Sequence, residues 1–484
     1  MRFTRSDKTG SPQKASGSDL PRGSFFKVFC WAVPRTRLGY RIWSAGLWKR
    51  IGTDWPRIKA QLKLTLTLAA SVLLCLACGK ASEPDALPAV RDSAGIMIVS
   101  DVESARRDDP NWRVDPNPVL SIGSLDGPEE SFLEAPSAAT LLASGETVIQ
   151  NSTRGLFDLR YYDDRGNHLN TVGRWGDGPW EFRWVLGSFR LPGDSILVLG
   201  LDGRFAVFGP TGEGIREGRL QIPPVGSPPS QLIDPQHLAL RKPHPVPRVE
   251  GIHRVRSSFL VFDLTSETMD TVTSALCGVQ LSVPRAGVTR VYVYPFRPRC
   301  YFAASGGRLW VGQSDLPEVR GFDADGALTT VIRFGRDPRE ITRTDRTNWS
   351  DSAMARARTP DSKRRTRRAL GRMGFPETMP YFEGLVGDRV GNLWVRRYQN
   401  SWAKGPQYWD VYDQEGSWIA LVAIPERILP WLARAFPRPR TGILEIGDDY
   451  LLLLHRDSLG VRSVSRYRLS KEAVEGQDTV TLEG

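Results

Sequence analysis

The side chains in this chain best suited to chemistry are its histidines, its acidic turns, its clustered tryptophans and one pair of cysteines. Five histidines occur: His168, His237, His244, His253 and His455. A zinc-hydrolase site needs two imidazoles one helical turn apart beside a carboxylate, so that all three converge on the metal chemistry. No H-E-x-x-H is present, and His237 and His244 stand seven apart around Pro-rich sequence. The histidines read as surface or satisfied core residues, and no metal ligand is assigned. No G-x-S-x-G elbow, P-loop or dinucleotide fingerprint appears either, so no catalytic residue and no cofactor is assigned.

The acidic turn Asp323-Ala324-Asp325-Gly326 carries oxygens of the kind calcium takes. It lacks the later Glu of an EF-hand, and the same Asp-x-x-Gly recurs elsewhere as a hairpin signal, so a structural turn is expected. Trp175, Trp180 and Trp184 flank a Gly-Pro segment, while Trp402, Tyr408 and Trp409 cluster further on. Exposed aromatics grip sugars or partner proteins, and buried ones pack. Loop-borne Trp175 and Trp402 are the candidate ligand contacts; strand-borne Trp409 is expected in the core. Cys277 and Cys300 are 23 positions apart. In an oxidising compartment they form either a disulfide between neighbouring strands or two separate buried thiols, and spacing leaves both open.

The formal net charge of +11 lies wholly in residues 1–77, and residues 78–484 balance to zero. The body therefore has no global field to hold a polyanion, which argues against a nucleic-acid partner. A hydrophobic fraction of 40% supports a real core, and 46 Gly with 35 Pro point to many turns and short elements.

Residues 57–77 have the layout of a signal peptide. Arg57, Lys59 and Lys63 precede the apolar run Leu64 to Ala77, which is too short for a comfortable membrane span. A buried hydrophobic hairpin or helix is the alternative. The run ends in Cys75-Leu76-Ala77-Cys78-Gly79, which resembles a bacterial lipoprotein signal, although Cys75 and Leu76 depart from its favoured residues. That resemblance implies diacylation of Cys78, a lipidated linker over 78–90, and a membrane-anchored protein of the cell envelope. Gly79 in place of Asp implies the outer membrane, facing the periplasm. Residues 1–56 fit no targeting signal and are expected to be a disordered leader or the product of a mis-called start.

The body, 91–484, repeats one unit: a turn, an apolar strand, a variable loop, a strand ending in an aromatic, and an Asp/Gly turn. Four copies are clear, opening at Gly145, Gly193, Gly307 and Gly391, and two weaker ones open at His237 and Asp449. A small twisted sheet cannot cover its own faces, but several stacked around an axis can. The fold expected is all-β, a six-bladed β-propeller, with the last blade completed by an N-terminal strand near Gly95–Ser100 or Val119–Ile122. Tyr162-Asp163-Asp164-Arg165-Gly166, followed by the linker Gly173 to Phe182, resembles the NHL-type repeat, with Trp180 where that repeat carries Gly. More broadly, residues 92–470 resemble bacterial six-bladed propeller lipoproteins of unknown function.

Residues 341–380 break the pattern with helix signals, Thr359-Pro360-Asp361 above all, and are expected to form two short helices inserted between the fourth and fifth blades. The arginine run from Lys363 to Arg368 reads either as a contact for an acidic partner or lipid headgroups, or as a solvated helix face. The function expected is binding: a monomeric, anchored platform for a protein, peptide or glycan. The alternative is a propeller lyase or lactonase/hydrolase with a metal or polar cluster in its axial channel.

Overall fold

The computed structural model of the chain describes residues 89–101, 109–221, 231–285, 288–400, 402–428 and 442–471. The leader, the signal segment and Cys78 lie outside the described residues. Within them the chain is all-β, with five sheets and two α-helices. No described helix is long and apolar enough to cross a membrane.

The apolar runs found in the sequence become strands buried on both faces. Ile196–Gly200, for example, is buried along its whole length. They assemble into antiparallel meanders. The first is β4–β7 (Pro136–Leu141, Thr147–Thr153, Leu156–Tyr162, His168–Val172) and the second is β8–β11 (Val185–Arg190, Ile196–Gly200, Arg204–Phe208, Gly214–Arg219). The third is β12–β15 (Gln231–Leu232, His237–Pro243, Gly251–Asp263, Met269–Arg285), with β16 (Val288–Val293) added at its edge. The fourth is β17–β20 (Cys300–Ser305, Arg308–Gln313, Glu318–Phe322, Leu328–Phe334).

An eight-stranded sheet holds two more. One is β21–β24 (Phe382–Gly387, Leu393–Arg397, Gln407–Tyr412, Trp418–Ile424). The other is β25–β27 (Ile443–Ile446, Tyr450–Arg456, Arg462–Lys471), completed by β3 (Trp112–Ile122). Val119–Ile122 thus lies beside the C-terminal strands: Ile122 pairs with Val464 and Ser121 with Ser465. The Gly95–Ser100 segment goes elsewhere. It forms β2 (Ile96–Asp101), which pairs with β1 (Ala89–Ser93) and, in parallel, with β20.

The six sequence copies fall on β5–β6, β9–β10, β13–β14, β18–β19, β22–β23 and β26–β27. Their terminal aromatics Tyr162, Phe208, Phe262, Phe322 and Tyr412 are all buried. The acidic residue that follows brackets its own turn: Asp163 accepts from the Asn167 N–H (2.7 Å), Asp323 from Ala327 (2.7 Å) and Asp413 from Ser417 (2.8 Å).

Packing links each meander to the next. One hydrophobic cluster joins β5–β6 to β9–β10, and others continue stepwise through the third, fourth and fifth meanders to the last. A further cluster joins Leu452 and Val464 of the last meander to Ala139, Ile149 and Tyr162 of the first. Each fully buried Leu, Ile or Phe in such a seam contributes about 1.5–3 kcal/mol.

The helices α1 (Arg343–Arg356) and α2 (Pro360–Met373) lie between β20 and β21. Both begin with a capping box, Thr342 with Asp345 and Thr359 with Ser362. The apolar face of α2, Ala369, Leu370 and Met373, rests on Leu281, Val283 and Tyr292 of β15 and β16. On its outer face Arg364 and Arg365 pair with Asp361, and Arg372 pairs with Glu250.

Candidate functional site: a basic cavity under the helical pair

A cavity of about 910 Å³ opens between the two helices, the β16–β17 connection, and the ends of β21, β22 and β23. Its size lies in the range of small-molecule sites. Six cationic side chains line it (Arg297, Arg299, Arg356, Arg358, Arg396 and Lys404) against two carboxylates, Glu383 and Glu426.

One wall is the Phe296–Arg299 turn that leads into β17. It is clamped from two sides. Cys277 of β15 and Cys300 at the start of β17 are joined as a disulfide, with Cα atoms 4.6 Å apart. Ser314, itself buried, accepts from the Arg299 N–H (2.9 Å) through its hydroxyl, and its carbonyl accepts from the Tyr381 N–H (2.7 Å) at the entry to β21. Phe296 is held at φ 42°, left-handed backbone that costs a bulky residue about 1–3 kcal/mol. Its ring is packed between Phe375 and Trp402, which fixes the strained turn. Arg297 then projects into partly buried surroundings. Burial and the neighbouring Arg299 push its guanidinium down to about 10, and its Nε has no hydrogen-bond partner. Burial likewise lowers Arg241 nearby.

The opposite wall is β21–β22. Arg396 reaches Glu383 (3.0 Å), whose carboxylate also accepts from the Gln399 N–H (3.3 Å). Burial raises Glu383 in spite of that arginine, and the Arg396 Nε is left without a partner. Burial also pushes Tyr301 up to about 12 and Tyr398 further above the usual phenol value, so both hydroxyls stay protonated and able to donate.

Two buried amides complete the lining. Asn400, 6% exposed, donates from its Nδ2 to Asp345 (2.9 Å), the carboxylate of the α1 capping box. That bond fixes the amide orientation and leaves Oδ1 without a donor. Gln407, 4% exposed, also has an unpartnered carbonyl oxygen. These four unpartnered atoms belong to residues that line the cavity, and seven others lie elsewhere among the described residues, so the lining composition is what characterises the site. Guanidinium N–H groups bind anions, and amide oxygens accept from hydroxyls or N–H groups.

Of the residues singled out in the sequence, Trp402 lines this cavity, whereas Trp175 lies on the β7–β8 connection, 44% exposed, with the Arg183 guanidinium 5.2 Å above its ring. Trp409 is fully buried. The histidines find separate partners: His168 contacts Thr171, His237 contacts Asp234, His244 contacts Ser258, His253 contacts the Val249 carbonyl, and His455 contacts Tyr467. Among the described residues no group of three or more His, Cys, Asp or Glu is placed to hold a metal ion. Sequence reasoning missed Arg297, Arg299, Glu383, Arg396, Asn400 and Gln407. The available signal was charge set against buried strands, in Arg297-Pro298-Arg299-Cys300 and in Val395-Arg396-Arg397.

These features define an all-β protein whose sheets and helical pair enclose a basic, aromatic cavity. No family model matches the chain, and no curated protein does. Among solved structures it is similar to a Bacteroides fragilis protein described as exported (12% identity, TM-score 0.38, covering 77% of this chain and 99% of that one). It is also similar to regucalcin, a calcium-binding protein of Agrobacterium tumefaciens (13%, TM-score 0.28, 72% and 94%), and to BamB of Moraxella catarrhalis (12%, TM-score 0.26, 78% and 95%). The likeness is loose and assigns no ligand or activity to this chain.

Proposed function

We propose that this chain is an exported six-bladed β-propeller, lipid-anchored at Cys78, that works as a binding platform with its ligand site in the cavity beneath α1 and α2. The six meanders and the seam that returns from the last to the first support the ring. Charge-flanked apolar sequence ending at Cys78 supports export and anchoring. The carrying observation for binding is the cavity itself, about 910 Å³ and lined by six cationic side chains against two carboxylates.

Thermal-shift measurements on the full chain test this, with a panel of acidic sugars, neutral sugars, short peptides and inorganic phosphate. Thr366→Trp places a large ring from α2 in the cavity. The expected result is that at least one panel member stabilises the wild type and loses its effect in Thr366→Trp. Shifts equal in both proteins, or none in either, would refute the site.

A further inference from the structure

Resting on that reading of the cavity, we propose that its ligand is a sugar acid: a short oligosaccharide carrying carboxylates, read by the guanidinium groups and the side-chain amides of the lining. Three independent features of the wall select this class.

The first is charge. Arg297, Arg299 and Arg396 face the same space, and Glu383 is the carboxylate held against Arg396. With Arg356, Arg358 and Lys404 these arginines make six cationic side chains against Glu383 and Glu426, so the wall is short of acceptors where it is richest in positive charge. An incoming carboxylate supplies them, and charge-assisted bonds of this kind are the strong ones.

The second feature weighs against a bare anion such as phosphate. Asn400 and Gln407 add side-chain amides to the same lining, and a phosphate brings only one or two O–H donors to such a wall. The Asn400 amide cannot simply turn round, because Nδ2 is committed to Asp345. A ligand that carries several hydroxyl or N–H groups beside its anion matches this lining better. The third is shape and surface. About 910 Å³ accommodates a few sugar rings, and Trp349, Tyr398 and Trp402 add aromatic surface to the same lining. An acidic peptide shares the charge and the N–H groups. It lacks the density of hydroxyls that two amide acceptors and two protonated tyrosines in one small space are suited to meet, and it is the rival the experiment must separate.

The test is calorimetric titration of the full chain with trigalacturonate, its methyl ester, neutral galactotriose, triglutamate and inorganic phosphate. Trigalacturonate is expected to bind at least tenfold more tightly than each of the other four. Arg297→Met and Gln407→Met, both close in size to the residues they replace, should each weaken trigalacturonate at least tenfold. Their unfolding midpoints without ligand should stay within a few degrees of wild type. Equal binding of the ester or the neutral trisaccharide would show that charge is not read, and would overturn the proposal. Tighter binding of triglutamate would overturn it in favour of an acidic peptide, and tighter binding of phosphate in favour of a simple anion site. Both results leave the cavity intact as a ligand site, as long as Thr366→Trp still abolishes them. Failure of trigalacturonate to bind, with other panel members still acting through the cavity, overturns the sugar-acid assignment alone.

Discussion

Replacing Asp410 with Ala should destabilise the protein through one identifiable loss. Asp410 lies on β23, fully buried, and its carboxylate accepts from the Arg336 Nη1 (2.8 Å), the Arg397 Nε and Nη2 (3.0 and 2.8 Å) and the Trp418 indole (3.2 Å). Arg336 follows β20, so the cluster ties the fourth meander to the fifth. Removing one partner of a buried ion pair costs about 3–5 kcal/mol, because the remaining charge loses its compensation away from water. The guanidiniums keep 17% and 21% of their side-chain exposure, which places the expected loss near the low end, about 3 kcal/mol. An unfolding entropy of about 2.1 cal/mol/K per residue over roughly 350 described residues gives about 0.7 kcal/mol/K, and hence a fall in Tm of about 4–5 °C. Scanning calorimetry of Asp410→Ala and Asp410→Asn reads this directly, with the Asn variant expected to lose less because it keeps an acceptor. A fall under about 1 °C would refute the burial argument, as would a loss that disappears in 1 M salt, since only exposed pairs are screened that way.

Other consequences can be read separately. Reducing the Cys277–Cys300 bridge opens a 23-residue separation, worth about 3 kcal/mol of chain entropy, so reductant should lower the urea midpoint of the wild type and leave the already lowered midpoint of the double Ser variant unchanged. Cys78→Ala should abolish lipid labelling and move the chain from the membrane fraction to the soluble one; unchanged fractionation would remove the anchor. Burial lowers the pKa of His455 below its ordinary 6.5. Below pH 6.5 the unfolded chain takes up a proton that the folded chain refuses until its own lower pKa, so stability from this residue declines as pH falls through that window. Urea midpoints from pH 8 to pH 5 should therefore slope less in His455→Asn than in wild type.

The strands were more legible than the site. Apolar runs bounded by Gly and Asp specify hairpins locally, because the turn chemistry and the strand share a few adjacent residues. That is why the copies at Gly145, Gly307 and Gly391 land on β-hairpins. Partners of the N-terminal segments were not legible in the same way. Val119–Ile122 and Gly95–Ser100 carry similar apolar patterns, and only tertiary packing sends one to β27 and the other to β20. Trp180 shows a local rule overridden: it stands where the NHL-type repeat has Gly and adopts φ 59°, held there by its ring against Phe208, 5.4 Å away. The cavity residues were least visible. Arg297, Glu383, Asn400 and Gln407 come from separate connections and strands, and their meeting around one cavity exists only in three dimensions.

Hydrogen exchange of the full chain with and without saturating trigalacturonate tests the location of the site most directly. Protection is expected in α1, α2, the Phe296–Arg299 turn and the segment from Phe382 to Gln407. Protection confined to other loops, with these segments unchanged, would contradict the cavity as the place where this protein holds its ligand.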